Sequence, residues 1–414
     1  MSLAACTGTD RATGPAPSAT VPPAASAASS TGPGPRKREA LSSTVVQAQL
    51  RALRHGRVRA FRATWAAQSR ARRQGDDIAS NLRAMRASVT SLRLRPATAA
   101  HPASGRRRGH FGAAAWDVAV DASWRTPQMG SRDVVSPLVY TFVPDEGGAR
   151  VAAVRASAGS REPIWLHGRL RVARGRGPVV AVSGSIAQSR LLVRRLLLAR
   201  RDVQTFLTNW HGSLTAYLPP STADFDAVLD AGRKRYASVA AVTTAIDGST
   251  EPHAPVAVVV NPRIWPRLTP LGARVVITHE AVHAATGPRT TALPRWLSEG
   301  FADFVAIRSA RVPKREANAA AVKDILRHGV PRRLPTNSDF EAGSAQLEAT
   351  YEESRLVVRT IADHAGLRRL VGFYTAVAAQ SVPVDAALHT RLGTSRAQVT
   401  QQWRRLLIRL RGAQ

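Results

Sequence analysis

Cysteine occurs once in 414 residues, at Cys6, which excludes an intrachain disulfide and any zinc site built on cysteine. Lysine is nearly as scarce, limited to Lys37, Lys234, Lys314 and Lys323, so arginine carries almost all of the formal net charge of +31. Aromatic residues make up only 5%. That is too few for the interleaved basic and aromatic side chains that grip single-stranded nucleic acid. The arginines are also spread along the chain instead of being gathered in one arm or helix, so specific nucleic-acid recognition is not expected. Richness in Arg, Ala, Gly and Pro with little Lys is what GC-rich codons produce. Attraction to a polyanion such as nucleic acid, anionic lipid or an acidic cell-wall polymer is the other reading of the charge. No apolar run reaches the roughly 18–20 residues that a bilayer-spanning helix needs, so no membrane span is expected.

What is present begins with size: 414 residues at 44% hydrophobic content can form a sizeable core and suit two folded domains plus a tail. The opening M-S-L-A-A-C-T-G contains Leu3-Ala4-Ala5-Cys6, which resembles a bacterial lipobox. The resemblance implies lipidation at Cys6 and an extracytoplasmic protein attached to the membrane surface. The charged and apolar signal segment that should precede it is absent, so translation is expected to start upstream of Met1. If it does not, LAAC is a chance string in an alanine-rich segment and a cytoplasmic location is expected. After Cys6 the chain is Ala, Ser, Thr, Pro and Gly with almost no large apolar residue. Such a segment cannot offset its ordering entropy, and residues 1–40 read as a disordered tether.

Residues 41–184 read as an α+β domain. Val45, Leu50, Leu53, Val58 and Phe61 mark an apolar helical face, and two helices fit before residue 85. From Trp116 the period changes to two: WDVAVDASW, SPLVYTFV, ARVAAVRA, IWLHGRLRVA and GPVVAVSG are β-rich runs divided by Gly, Pro and Asp. This order, helices and then a curved antiparallel sheet, resembles the roll of nuclear-transport-factor-like domains. Residues 185–414 form the second domain. A helix over SIAQSRLLVRRLLLARRDVQTFLTNW is followed by a strand at LTAYLPPS, a helix over Thr222 to Arg235, strands at VAAVTTAI and APVAVVVNPRIW, and then helices to the end. In the last of these, Val399, Trp403, Leu406, Leu407 and Leu410 share one face, suited to core packing.

The chemistry is concentrated in L-G-A-R-V-V-I-T-H-E-A-V-H-A-A-T-G, an apolar helical stretch stopped by Gly287-Pro288. His279 and His283 stand four apart, one above the other on a helix face, so both imidazoles can reach one cation. Glu280 lies beside them, placed to act as a general base toward water. A second helical segment, L-P-R-W-L-S-E-G-F-A-D-F-V-A-I, follows a short loop. Its Glu299 supplies a third ligand and leaves one position open. Asp303, one turn further on, is placed to bond the free ring nitrogen of a ligating histidine.

WLSEGFADF resembles the corresponding segment of gluzincin aminopeptidases, and the Glu299-to-Asp303 spacing resembles the ligand and supporting pair of thermolysin. The wider likeness, over about 185–410, is to bacterial peptidase MA-like metallopeptidases, with Tyr351, Gly366 and Trp403 matching their tyrosine-led helix, glycine and terminal tryptophan helix. The resemblance implies an α+β, thermolysin-type domain holding Zn²⁺ through His279, His283 and Glu299, with Glu280 as catalytic base and a peptide or protein as substrate. Tyr351 has two readings, as hydrogen-bond donor to an oxyanion or as a core aromatic. The run Val256–Val260 likewise reads as the edge strand that aligns a peptide or as an ordinary inner strand. The competing functional readings are a non-catalytic zinc-containing surface protein that retains the peptidase fold, and a polyanion-binding protein.

Overall fold

The computed structural model describes residues 32–95, 101–130, 132–230, 236–251, 254–287, 293–341, 346–379 and 382–412. Cys6 and most of the tether lie outside the described residues. The fold class is α+β, as the sequence implies. The chain divides into two compact units. The first runs to Arg171 and takes in Ala227–Asp230; the second comprises Val172–Asp226 and Ala231–Gln414.

The first unit opens with three helices, α1 (Pro35–Arg54), α2 (Val58–Ala63) and α3 (Ser69–Ala84), one more than the periodicity suggests. Helix α1 begins at Pro35, inside the segment read as tether, because proline suits a first helical turn. Val46 takes the buried place in it, with Val45 half-buried. Strands β1 (Ser88–Leu94) and β2 (His101–Pro102) follow, then α4 (Gly105–Phe111), β3 (Trp116–Arg125), β4 (Val134–Asp145) and β5 (Gly148–Ala156). The sheet order is β1-β3-β4-β5, antiparallel throughout, with β2 also pairing β3. In β3 the alternation of WDVAVDASW is realised directly. Trp116, Val118, Val120, Ala122 and Trp124 are buried, and the intervening residues are half-exposed. Each tryptophan satisfies its ring N–H, Trp116 on Ser42 Oγ at 2.9 Å and Trp124 on Ser136 Oγ at 3.0 Å.

The second unit contains all but the first residue of β6 (Arg171–Arg174), then β7 (Val179–Ser183), α5 (Ile186–Gln204), β8 (Leu214–Leu218), α6 (Thr222–Leu229) up to Asp226, β9 (Ala241–Ala245) and β10 (Val256–Val260). Helices α7 (Pro270–Thr286), α8 (Arg295–Ala310), α9 (Lys314–Ala317), α10 (Ala319–His328), α11 (Leu347–Ala365), α12 (Leu367–Ala378), α13 (Val384–Ala387) and α14 (Arg396–Gly412) complete it. Its sheet runs β6-β7-β8-β10-β9, with β7, β8 and β10 parallel and β9 antiparallel at the edge. Strand β7 therefore belongs to the second sheet, whereas its sequence GPVVAVSG reads as the close of the first. All five of its residues are buried, as in a strand covered on both faces, and periodicity cannot assign such a strand to a sheet. The edge position also falls to β9, and β10 is an inner strand between β8 and β9.

Helices α7, α8 and α11 pack as the centre of this unit. Gly300 makes the closest approach possible, since a side chain there would meet the Ser354 carbonyl of α11. The final helix packs as its pattern indicates, with Val399, Trp403, Leu406 and Leu407 buried in the same core.

Candidate metal centre

Helix α7 is built to be buried. Thr269 caps it by accepting from the Gly272 amide at 3.1 Å, Pro270 occupies the first turn, and Gly287 at φ 73° stops it. Between these signals almost every side chain to His283 is withdrawn from water. His279, Glu280 and His283 are each at most 2% exposed, so each needs a compensating partner. Helix α8 brings Glu299 and Asp303 to them, both buried as well.

Asp303 Oδ1 lies 2.6 Å from His279 Nδ1. In the neutral ring that contact puts the proton on Nδ1 and leaves the inward-facing Nε2 as the lone pair. His279 Nε2 stands 2.9 Å from His283 Nε2 and 3.2 Å from Glu299 Oε2, which is 3.4 Å from His283 Nε2. These three residues form a group whose ligand atoms are close enough to hold a metal ion. In a tetrahedral site with bonds of about 2.0–2.1 Å, ligand atoms stand roughly 3.3–3.4 Å apart, so the triangle is near the right size. Without an ion, two imidazole nitrogens 2.9 Å apart can share only one proton. Among the described residues, His283 Nδ1 and Glu280 Oε1 are buried with no hydrogen-bond partner. A purely structural cluster would leave these costs uncompensated.

The electrostatics are those of a tight ionic cluster. Burial opposes charging of His279, but Asp303 and Glu299 outweigh it and hold its pKa well above the ordinary histidine value. Burial likewise resists ionisation of Glu299, yet the two imidazoles and their hydrogen bonds keep its carboxyl far below the usual range. For Glu280 burial wins: its pKa is pushed up, although both histidines and Thr243 pull it down.

Thr243 is a residue that sequence inspection misses. It sits on edge strand β9, and its hydroxyl is 2.6 Å from Glu280 Oε2 and 2.9 Å from the Glu280 carbonyl oxygen. Threonine in a β-run carries no mark of such a role. Arg355 is a second: buried, it donates to Ala317 O at 2.7 Å and Asn318 Oδ1 at 2.6 Å. Burial lowers its pKa and the neighbouring Asp303 carboxylate counters this. Tyr374 is a third, its buried ring stacked on Phe301 with centroids 3.8 Å apart.

Tyr351 reaches the same neighbourhood. Its ring centroid is 6.5 Å from that of His279 and 5.1 Å from that of Phe340, and the residue is 2% exposed. The structure thus brings His279, Glu280, His283, Glu299, Asp303 and Tyr351 together. Gly366 and Trp403 serve elsewhere, Gly366 ending α11 at φ 84° and Trp403 filling the core. No protein-family model matches the chain, and no curated protein matches it either.

Proposed function

We propose that the second unit is a zinc-dependent peptidase of the gluzincin, peptidase MA-like kind. His279, His283 and Glu299 would hold the ion, because two imidazoles and a carboxylate with one position left open are the donor set of catalytic zinc. Bound there, the ion polarises a carbonyl and lowers the pKa of water. The remaining work falls to the protein. Thr243 engages Glu280 Oε2, so Oε1 is the atom that accepts a proton from the attacking water and later returns it to the leaving amine. Burial raises the pKa of that carboxyl and makes it a stronger base. Tyr351 supplies a hydrogen bond to the developing oxyanion, and Asp303 fixes the ring of His279.

The substrate is a peptide or protein. An extended chain laid along edge strand β9 passes the base that Thr243 touches. The first unit is taken as a roll of nuclear-transport-factor-like type ahead of the peptidase. Attachment to a membrane surface through Cys6 belongs to the same proposal. No helix among the described residues is long and apolar enough to cross a membrane.

One observation carries this reading: three ligand atoms converge beside a buried glutamate whose second oxygen has no partner among the described residues. The test is a mixed-peptide cleavage screen, read by mass spectrometry, on protein of measured zinc content with and without chelator. Cleavage that stops on chelation and returns with zinc is expected. Protein that holds zinc and cleaves nothing would instead be the non-catalytic scaffold.

A further inference from the structure

The first unit contains a cavity of about 910 Å³, within the size range of small-molecule sites. Five of its sixteen lining residues are arginine, against about one in eight along the whole chain. They come from three elements far apart in sequence: Arg70 and Arg73 on α3, Arg106 and Arg107 on α4, and Arg155 on β5. Asp77 is the single acid among the described lining residues.

The elements are arranged for this. Residues 70, 73, 74 and 77 fall at helical spacing and turn one stripe of α3 into the cavity. Gln74 locks α3 onto the sheet edge, donating from Nε2 to the Val154 carbonyl at 2.7 Å and accepting the Val154 amide at 3.1 Å. Arg107 is held rather than free: its guanidinium lies 5.7 Å from the Phe111 ring centroid, donates to Thr141 Oγ1 and faces Asp117 at 3.4 Å. Arg155 approaches the same Asp117 at 3.9 Å. One carboxylate therefore serves two guanidiniums, and its hold on Arg107 is loose: the buried Nε that stands 3.4 Å from Asp117 makes no hydrogen bond among the described residues. Cations so crowded repel one another, and both burial and Arg155 lower the Arg107 pKa. A bound anion would relieve both costs.

We propose that this groove binds a small molecule bearing two or more phosphate or carboxylate groups, gripped by Arg73 and Arg107 from two different helices, with Arg70, Arg106 and Arg155 completing the positive field. Planar guanidinium forks match both acid types, and a groove of about 910 Å³ suits a small molecule better than a nucleic-acid strand.

The test is isothermal titration of the full-length protein at about 150 mM salt, where long-range attraction to a net positive chain is screened. Two probes are used, fructose 1,6-bisphosphate and glutarate, and they separate a phosphate ligand from a carboxylate one. One probe or both should bind at one per chain. Arg73→Gln and Arg107→Gln should each weaken that binding about 10-fold, the worth of a charge-assisted hydrogen bond. Arg405→Gln, an exposed arginine of α14 in the other unit, should leave it within about two-fold. Arg107 also supports the sheet, so Arg73, exposed on α3, remains the deciding variant if Arg107→Gln does not fold. Neither probe binding more tightly than about 1 mM overturns the proposal. So does equal weakening by Arg405→Gln, which would mean attraction to the whole charged chain.

Discussion

Gly300 offers the sharpest handle on how the site is assembled. It follows Glu299 on α8 and faces α11, where an added methyl carbon would stand 2.5 Å from the Ser354 carbonyl oxygen and 3.1 Å from Val358 Cγ2. The valine can turn aside, but the carbonyl belongs to a helix backbone. Ordinary contact begins at about 3.4 Å, so in Gly300→Ala the two helices must separate by roughly 0.9 Å. Overpacking of this kind costs about 1–3 kcal/mol, offset in part by the roughly 0.5–1 kcal/mol that alanine gains over glycine inside a helix. Glu299 moves with its helix, and metal ligands tolerate only about 0.2 Å, so metal affinity should fall together with stability. Gly372→Ala is the control, since a methyl there, at an exposed position of α12, meets nothing within 4 Å and should stabilise by about 0.5–1 kcal/mol. Urea denaturation followed by circular dichroism, with metal content measured on the same preparations, reads both effects. If Gly300→Ala unfolds at the wild-type urea concentration and retains a full complement of metal, the packing of α8 on α11 is not what places the ligand.

Other substitutions separate the surrounding roles. Asp303→Ala should reduce metal affinity by roughly 10- to 100-fold through the freed ring of His279, as competition with a chromogenic chelator would show. Thr243→Val removes the donor to Glu280 Oε2 and should lower kcat about 10-fold with metal content unchanged; loss of metal would mean that Thr243 supports the helix and not the base. Glu353 tests a buried acid to which no part in the reaction is assigned. Burial first, and then Asp324, Asp339 and Glu352, raise its pKa from 4.5 to about 8. Its contribution to stability is therefore complete below pH 4.5 and is lost as pH rises toward 8, because the unfolded chain ionises first. The melting temperature of Glu353→Gln should fall less between pH 5 and pH 8 than that of the wild type, and parallel curves would refute the assignment.

Much of the second unit could be read from local signals. The glycine stop of α7 and the four-residue spacings of the histidines and acids each follow from helix geometry. The atoms they place do converge. What escaped depends on long-range pairing. Residues 179–183 and 256–260 are both continuous β-branched or small runs, and such runs reveal burial but not sheet membership or edge position. Thr243 lies 37 residues from Glu280 and becomes its partner only through the antiparallel return of β9 beside α7. The five arginines of the first-unit cavity are just as scattered, and in a chain so rich in arginine nothing local distinguishes them. Helix α2 is only six residues long, too short for a periodic pattern to separate it from its neighbours.

The division of labour between Glu280 and Glu299 is the heart of the proposal, and one paired measurement addresses it: metal stoichiometry by elemental analysis and peptide turnover, on the same samples of Glu280→Gln and Glu299→Ala. Glu299→Ala removes one of three ligands, so it should lose its zinc and its activity together. Glu280→Gln leaves every ligand in place, so it should keep one zinc per chain while turnover falls by about 100-fold or more. Zinc lost from Glu280→Gln but kept by Glu299→Ala would contradict the ligand assignment, and full activity in both would contradict the enzyme.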